Sequence, residues 1–213
     1  VTWARDRGQN VFAETCPQYL YLTLDEHLDR PGLDGLRAIC SPPLRHAHDH
    51  TTLWEGLRRD HLAVVSTDHC PFCDNEKLLG VEDFRQTPNG LGSIEHRMDL
   101  LHTGVVDGEL ALTRWVDVCA TTPAKLFGLH PRKGELAPDA DADVVVYDPA
   151  ARHTLGADHH HMLLDHSIWE GVEVTGQVRS VLSRGSFVID ERTFVGRAGH
   201  GRYLQRGLSD LLI

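Results

Sequence analysis

An α/β fold built on parallel crossovers, followed by a β-rich unit, is what this chain of 213 residues predicts. Three observations carry that expectation. Short apolar runs with little alternation, "NVFAET", "AICS" and "LAVVSTD", read as buried strands and are separated by helical patterns as far as Gly128. After Gly128 the pattern changes to strands broken by turn residues. The composition, 41% apolar and 24% charged, is that of an ordinary globular chain able to bury one good core or two small ones.

The elements follow in order. "VTWARDRG" reads as the last turns of a helix with Gly8 past its end, so the expectation is a chain that begins inside a domain. "NVFAET" and "AICS" are the first two strands. In "HDHTTLWEGLRRDH", Leu53, Trp54 and Leu57 share one helical stripe, with Asp49 or Thr51 as its start. "LAVVSTD" then returns as a strand, and strand, helix, strand at this spacing implies a parallel crossover. A second helix runs from Ser93 or Ile94 to about Val106, and a third opens at Thr113. A short fourth takes Thr122 as cap, Pro123 at its first position and Gly128 as terminator. Beyond it "ADVVVYD" is a strand, and "EVTGQVRSVLSRGSFVID" is a pair of strands with Gly185 at the hairpin turn. The tail "GRYLQRGLSDLLI" carries Leu204, Leu208, Leu211 and Leu212, apolar enough to dock. These signals divide the chain into residues 1–128 and 129–213.

Charge narrows the function. With 21 basic against 31 acidic residues the net charge is -10, and no basic stripe with interleaved aromatics is present. That argues against a nucleic-acid or anionic-membrane partner and for a small-molecule or protein one. No run has the length of a membrane span and no leader pattern opens the chain, so the expected location is cytoplasmic. Five cysteines, an odd number in a chain too large to need staples, fit reduced thiols.

The sharpest local signal is "VSTDHCPF". A strand that otherwise reads as fully buried ends on Asp68, and a carboxylate there must be paired, neutralised or bound to a cation. At the carboxyl end of a parallel strand that position suits a metal ligand or catalytic base; the plainer reading is an Asp capping the next turn. Cys70 and Cys73 have C-x-x-C spacing, but the pair stands alone and "DNEKLLG" after it reads as loop, which disfavours both a redox pair and a closed zinc site. The clumps "HAHDH" and "DHHHM" resemble metal-binding tracts in composition and read better as solvated surface. Ser41 in "CSPPLR" lies on backbone stiffened by two prolines, and Asn89 in "TPNGLG" lies on a turn leading into a helix, where ligand contacts and plain loops are equally at home.

In order, "ETCPQYLYLT", "CSPPLR", "VVSTDHCPF", "NGLGSIEHRMDLL", "TTPAKLFGLHPRKGELAPDADADVVVYDP" and "GQVRSVLSRGSFVID" resemble the dihydropyrimidinase and hydantoinase family of cyclic amidohydrolases over nearly the whole chain. The resemblance implies the carboxyl-terminal half of a distorted (β/α)8 TIM barrel of the metal-dependent amidohydrolase type, with part of a small β-sandwich. It implies two zinc ions per active site in the complete protein and hydrolysis of dihydropyrimidines or hydantoins to N-carbamoyl amino acids. By its place in "STDHCPF", Asp68 matches the residue that binds the more exposed zinc and shuttles a proton, and Ser41 and Asn89 match positions that hold the cyclic imide edge of the substrate. The other metal ligands of the pattern would precede Val1, so the chain alone is expected to be inactive. A homotetramer is implied by the same likeness. Two alternatives stand: a non-catalytic assembly protein related to dihydropyrimidinase, and a sister cyclic amidase, allantoinase or dihydroorotase. A dihydroorotase needs a cation for the substrate carboxylate, and no obvious new arginine near Asn89 is there to provide one.

Overall fold

The computed structural model describes residues 1–212 and is α/β with two sheets. A short helix α1 (Thr2–Arg5) leads to β1 (Glu14–Thr15), and β2 (Val64–Val65) pairs with it in parallel, Glu14 opposite Val64 and Thr15 opposite Val65. Between them lie α2 (Pro17–Tyr21), α3 (Leu33–Arg37) and α4 (Ala47–Arg58), so the parallel crossover runs from "NVFAET" to "LAVVSTD" and not, as the sequence pattern suggests, from "AICS". Pro17 sits in the first turn of α2, where its missing N–H costs nothing. Helix α4 starts two residues before Asp49, with His46 as its cap, and buries Trp54, Gly56 and Leu57.

One expected strand does not form. Among the described residues "AICS" has no strand beside it: its one cross-segment backbone bond is from the Gly90 N–H to the Ile39 carbonyl at 3.0 Å, an acceptor shared with the Lys77 ammonium at 3.0 Å.

After β2 come α5 (Asp74–Lys77), α6 (Arg97–Val106), α7 (Leu112–Val116) and α8 (Thr122–Leu126). The two helices expected around Pro123 are one continuous run, because the turn Asp117–Thr121 between α7 and α8 widens to π geometry. Pro123 has no N–H, so the widened turn before it leaves no regular bond for it to break. Thr122 is thus inside the helix, its hydroxyl donating to Asp117 Oδ1 at 2.8 Å. Gly128 ends the run at φ 66.

The second sheet is an antiparallel meander, β3 (Val144–Thr154), β4 (Glu173–Ser183), β5 (Ser186–Asp190) and β6 (Thr193–Phe194). Arg184 and Gly185 turn the β4–β5 hairpin with φ of 48 and 77, and Glu191 and Arg192 turn β5–β6 with φ of 44 and 67. The sheet is stitched to α6. His102 Nδ1 lies 2.7 Å from the Thr175 carbonyl, and the Thr175 N–H donates to Thr103 Oγ1 at 3.0 Å. A side chain at Gly176, at φ 103, would strike His102 and Tyr147, so only glycine permits this approach.

Two apolar clusters form the core. Leu20, Trp54, Leu57, Val65, Leu101, Trp115 and Val118 fill the space between α2, α4, β2, α6 and α7. Leu22, Cys40, Leu44, Leu91, Leu100, Leu155, Trp169 and Val174 fill the second, which draws the 155–172 connection and β4 onto the first half. Tyr21 touches both, its ring edge-on to Trp54 at 5.7 Å and to Trp169 at 6.4 Å. The tail is tied down by polar groups, with Leu204 and Leu211 half-buried. Gly207 N–H donates to Gly128 at 2.8 Å and His130 pairs with Asp210 at 2.8 Å, while Leu208 is left exposed. No helix among the described residues is long and apolar enough to cross a membrane.

Candidate active site

The parallel strands end together. Ser66 N–H donates to the Thr15 carbonyl at 2.9 Å, so Cys16 after β1 and Asp68 after β2 emerge at one edge. Asp68 adopts φ 46, a left-handed conformation that aspartate tolerates better than most residues. It is exposed, and its carboxylate has no hydrogen-bond or ion-pair partner among the described residues. It opens into a cavity of about 550 Å³ lined by Thr15, Cys16, Tyr19, Pro43, Arg45 and His50, among others. An unpaired carboxylate at a strand end is what a cation ligand or proton carrier requires, so Asp68 fits a metal as one donor.

Its neighbours are structural. His69 Nδ1 accepts the Ser93 and Ile94 N–H groups at 3.2 and 3.4 Å, and burial lowers its pKa, so the ring is neutral and that nitrogen is spent. The Cys16 thiol contacts Ser66 Oγ at 3.2 Å, and burial pushes it up to about 11, an inert thiol. Tyr19 donates its hydroxyl to the Pro42 carbonyl at 2.9 Å, and burial raises its pKa.

Ser41 and Asn89 line a second cavity of about 620 Å³ with Ile39, Cys40, Arg30 and Arg85. Pro43 belongs to the walls of both. The structure thus brings Ser41 and Asn89 together, and Asp68 opens next door, beyond the proline. The expectation of no arginine near Asn89 is corrected here: Arg30 and Arg85 reach the same wall because the loops carrying them fold back over it. Arg85 is clamped on Asp83 by two bonds of 2.8 and 2.9 Å, which takes it out of play as a carboxylate receptor.

The segment after Cys70 differs from the loop that was expected. Cys73 caps α5, and Glu76 accepts the Cys73 N–H at 2.8 Å in a capping box. Both thiols are free. Nearby, Asp74, Asp165 and His166 each offer a ligand atom within 4.8 Å of the others, yet Arg37 grips both oxygens of Asp74 and already supplies the cation. This cluster clasps the 155–172 connection to α5; none of the three lines the Asp68 cavity. Of the histidine clumps, His46 and His48 are exposed and stacked, whereas His161 is held by Glu95 at 2.7 Å.

A further polar group lies between α6 and the meander. Asp99 accepts the Tyr147 hydroxyl at 3.0 Å and lies 3.3 Å from His153 Nε2. Burial pushes Asp99 up to about 7 and lowers His153, so the two meet as neutral partners. The folded chain then holds a proton on Asp99 that the unfolded chain, with the ordinary value of 3.8, releases. Its stabilising contribution is full below pH about 4 and is lost as pH rises to about 7. Asp99→Asn is expected to be worth little at pH 4.5 and to raise the melting temperature relative to the unsubstituted chain by pH 7.5. Equal melting temperatures across that range would refute the assignment.

The amidohydrolase family profile matches residues 9–188, and the chain belongs to that family. The D-hydantoinase of Streptomyces coelicolor is 51% identical over 213 residues, which are all of this chain and 45% of that protein. The crystal structure of dihydropyrimidinase from Brevibacillus agri superposes with a TM-score of 0.94 at 44% identity, over 98% of this chain and 45% of that one. The L-hydantoinase (dihydropyrimidinase) of Arthrobacter aurescens does so with a TM-score of 0.88 at 31% identity, over 96% and 45%. The chain therefore spans somewhat under half the length of the relatives it matches.

Proposed function

We propose that the polypeptide containing this chain opens the cyclic amide of 5,6-dihydropyrimidines or hydantoins by hydrolysis, giving N-carbamoyl amino acids. The observation that carries the reading is the unpartnered Asp68 carboxylate at the end of a parallel strand, facing a cavity, in a chain this similar to hydantoinases. Asp68 would take the proton of the attacking water and return it to the ring nitrogen, a poor leaving group until protonated. Ser41 and Asn89, on stiff or turning backbone at the neighbouring cavity, would hold the imide edge. Zinc, two ions per site in the complete protein, would make water nucleophilic at neutral pH and polarise the carbonyl. Asp68 would be one of its ligands; the other donors would come from the amino-terminal half.

The same reading makes residues 1–128 the carboxyl-terminal part of a barrel and 129–213 part of a β-sandwich. The parallel pairing of β1 with β2 supports the first, and exposed Val145, Val146, Phe187 and Phe194 on the meander support the second, since such a surface calls for cover. A tetramer rests on the likeness to the family alone. Five unpaired thiols support a reducing, cytoplasmic setting.

The test is turnover by the chain joined to its amino-terminal half, against dihydrouracil, a 5-substituted hydantoin, allantoin and dihydroorotate. Ring opening of the first two is expected, abolished by a chelator and restored by zinc, with no activity in the isolated chain. Preference for dihydroorotate or allantoin would move the protein to a sister amidase. No turnover of any of the four in a protein that binds zinc would favour the non-catalytic assembly role.

A further inference from the structure

Lys77 is 1% exposed and lies at the end of a four-residue helix, an unusual place for an ammonium group. All three of its N–H donors are used. Nζ donates to the Ile39 carbonyl at 3.0 Å, to Pro88 at 2.9 Å and to Gly90 at 2.9 Å. These acceptors come from two loops far apart in sequence, one running straight into Ser41 and the other flanking Asn89 on both sides. Two backbone bonds complete the joint: Gly90 N–H to Ile39 at 3.0 Å, and Cys70 N–H to Leu91 at 3.1 Å. The second ties in the loop that carries Asp68. A side chain at Gly90, at φ 152, would strike the Cys70 carbonyl, so the loops meet backbone to backbone.

We propose that Lys77 is a positioning residue that fixes the Ser41 loop against the Asn89 loop and so sets the width of the groove holding the planar imide edge of the substrate. The inference rests on the reading of Ser41 and Asn89 given above. Hydrogen bonds to a cyclic imide demand donors and acceptors at fixed spacing, and backbone groups on loops keep such spacing only when something ties the loops together. A cation with three donors does this for three carbonyls at once, which no neutral side chain of that length can do. Burial lowers the Lys77 pKa to about 8, which leaves the ammonium and its three donors in place at neutral pH. Its surroundings contain no carboxylate bonded to it, only the Phe72 ring at 5.7 Å and the Cys40 and Cys70 thiols. The carbonyls are therefore its partners in full.

The experiment uses the chain joined to its amino-terminal half, with dihydrouracil and a 5-substituted hydantoin as substrates. In Lys77→Met, KM is expected to rise roughly tenfold or more while kcat falls by less than about threefold, because Lys77 bonds no residue of the Asp68 loop, whose strand end is held separately by Ser66 N–H on the Thr15 carbonyl at 2.9 Å. Lys77→Gln, polar but too short to reach three carbonyls, is expected to show the same split and decides the matter where Lys77→Met does not fold. Amide hydrogen exchange at Gly90 gives the second readout: exchange faster by roughly tenfold in the variants, with Ser66 unchanged, is expected. A folded variant with the KM of the unsubstituted protein, or with kcat and KM lost together and Gly90 exchange unchanged, overturns the proposal. An unsubstituted protein that opens neither ring overturns the reading of the site instead, and is distinguished by that control.

Discussion

Asp68→Ala is expected to abolish the proposed ring opening in the chain joined to its amino-terminal half, a loss of at least about a thousandfold in kcat. Two roles fall together in that substitution. On the reading proposed above, the alanine removes both an oxygen donor to the cation and the base that would carry the proton to the leaving nitrogen. Asp68→Asn separates them, since the amide oxygen still donates to a metal but cannot shuttle a proton. It is expected to keep most of the bound zinc and to lose activity by roughly a hundred- to ten-thousandfold. Metal analysis beside steady-state kinetics reads both. Asp68 is exposed and has no partner among the described residues, so Asp68→Asn, which tolerates φ 46 as aspartate does, should move the melting temperature by no more than about a degree, whereas Asp68→Ala should lower it by roughly 2–4 °C through backbone strain. Full turnover by Asp68→Ala would end the present view of the site.

Trp169→Ala is expected to destabilise the chain by about 3–5 kcal/mol. The side chain is fully buried, packs edge-on against Tyr21 at 6.4 Å, and shares a cluster with Leu100, Leu155 and Val174. It holds the connection after β3 to the first half of the chain, so its loss opens a cavity between them. Trp169→Phe supplies the control. The indole N–H is buried without a partner, and phenylalanine removes that unpaired donor together with some volume, so the cost should fall to about 1–2 kcal/mol. Urea unfolding measures both, and an unchanged midpoint for the alanine variant would show that this cluster does not bind the halves together.

Much of the architecture was readable because it rests on local rules. Apolar runs ending at turn residues located both parallel strands, Trp54 and Leu57 marked the buried face of α4, and Gly185 marked a hairpin. "AICS" failed because forming a strand depends on a neighbour to pair with, and what folds beside it offers the Ile39 carbonyl the Gly90 N–H and the Lys77 ammonium, not a strand. Pro123 was read as a helix start, since nothing local announces a widened turn. Asp68 drew attention by being a carboxylate where an apolar strand stops. Lys77 drew none: a lysine in "DNEKLLG" is ordinary until Ile39, Pro88 and Gly90 converge on it. Arg30 escaped for the same reason, as a folded loop brings it to Asn89 from far along the chain, whereas Arg85, four residues before Asn89, was within reach of the sequence.

The corner formed by Glu191 and Arg192 has a mechanical consequence. Two L-residues held in left-handed geometry cost roughly 1–2 kcal/mol each; Glu191 N–H to Ser180 Oγ at 3.1 Å and Arg192 N–H to the Arg179 carbonyl at 2.8 Å tie the corner to β4, but β6 itself adds just a two-residue pairing with β5, extended by Val195 N–H to Val188 at 2.9 Å. The meander is therefore weakest at its outer rim. Thermal fluctuation should peel it from that end inward, while β4, anchored to α6 by His102 and Thr103, lets go last.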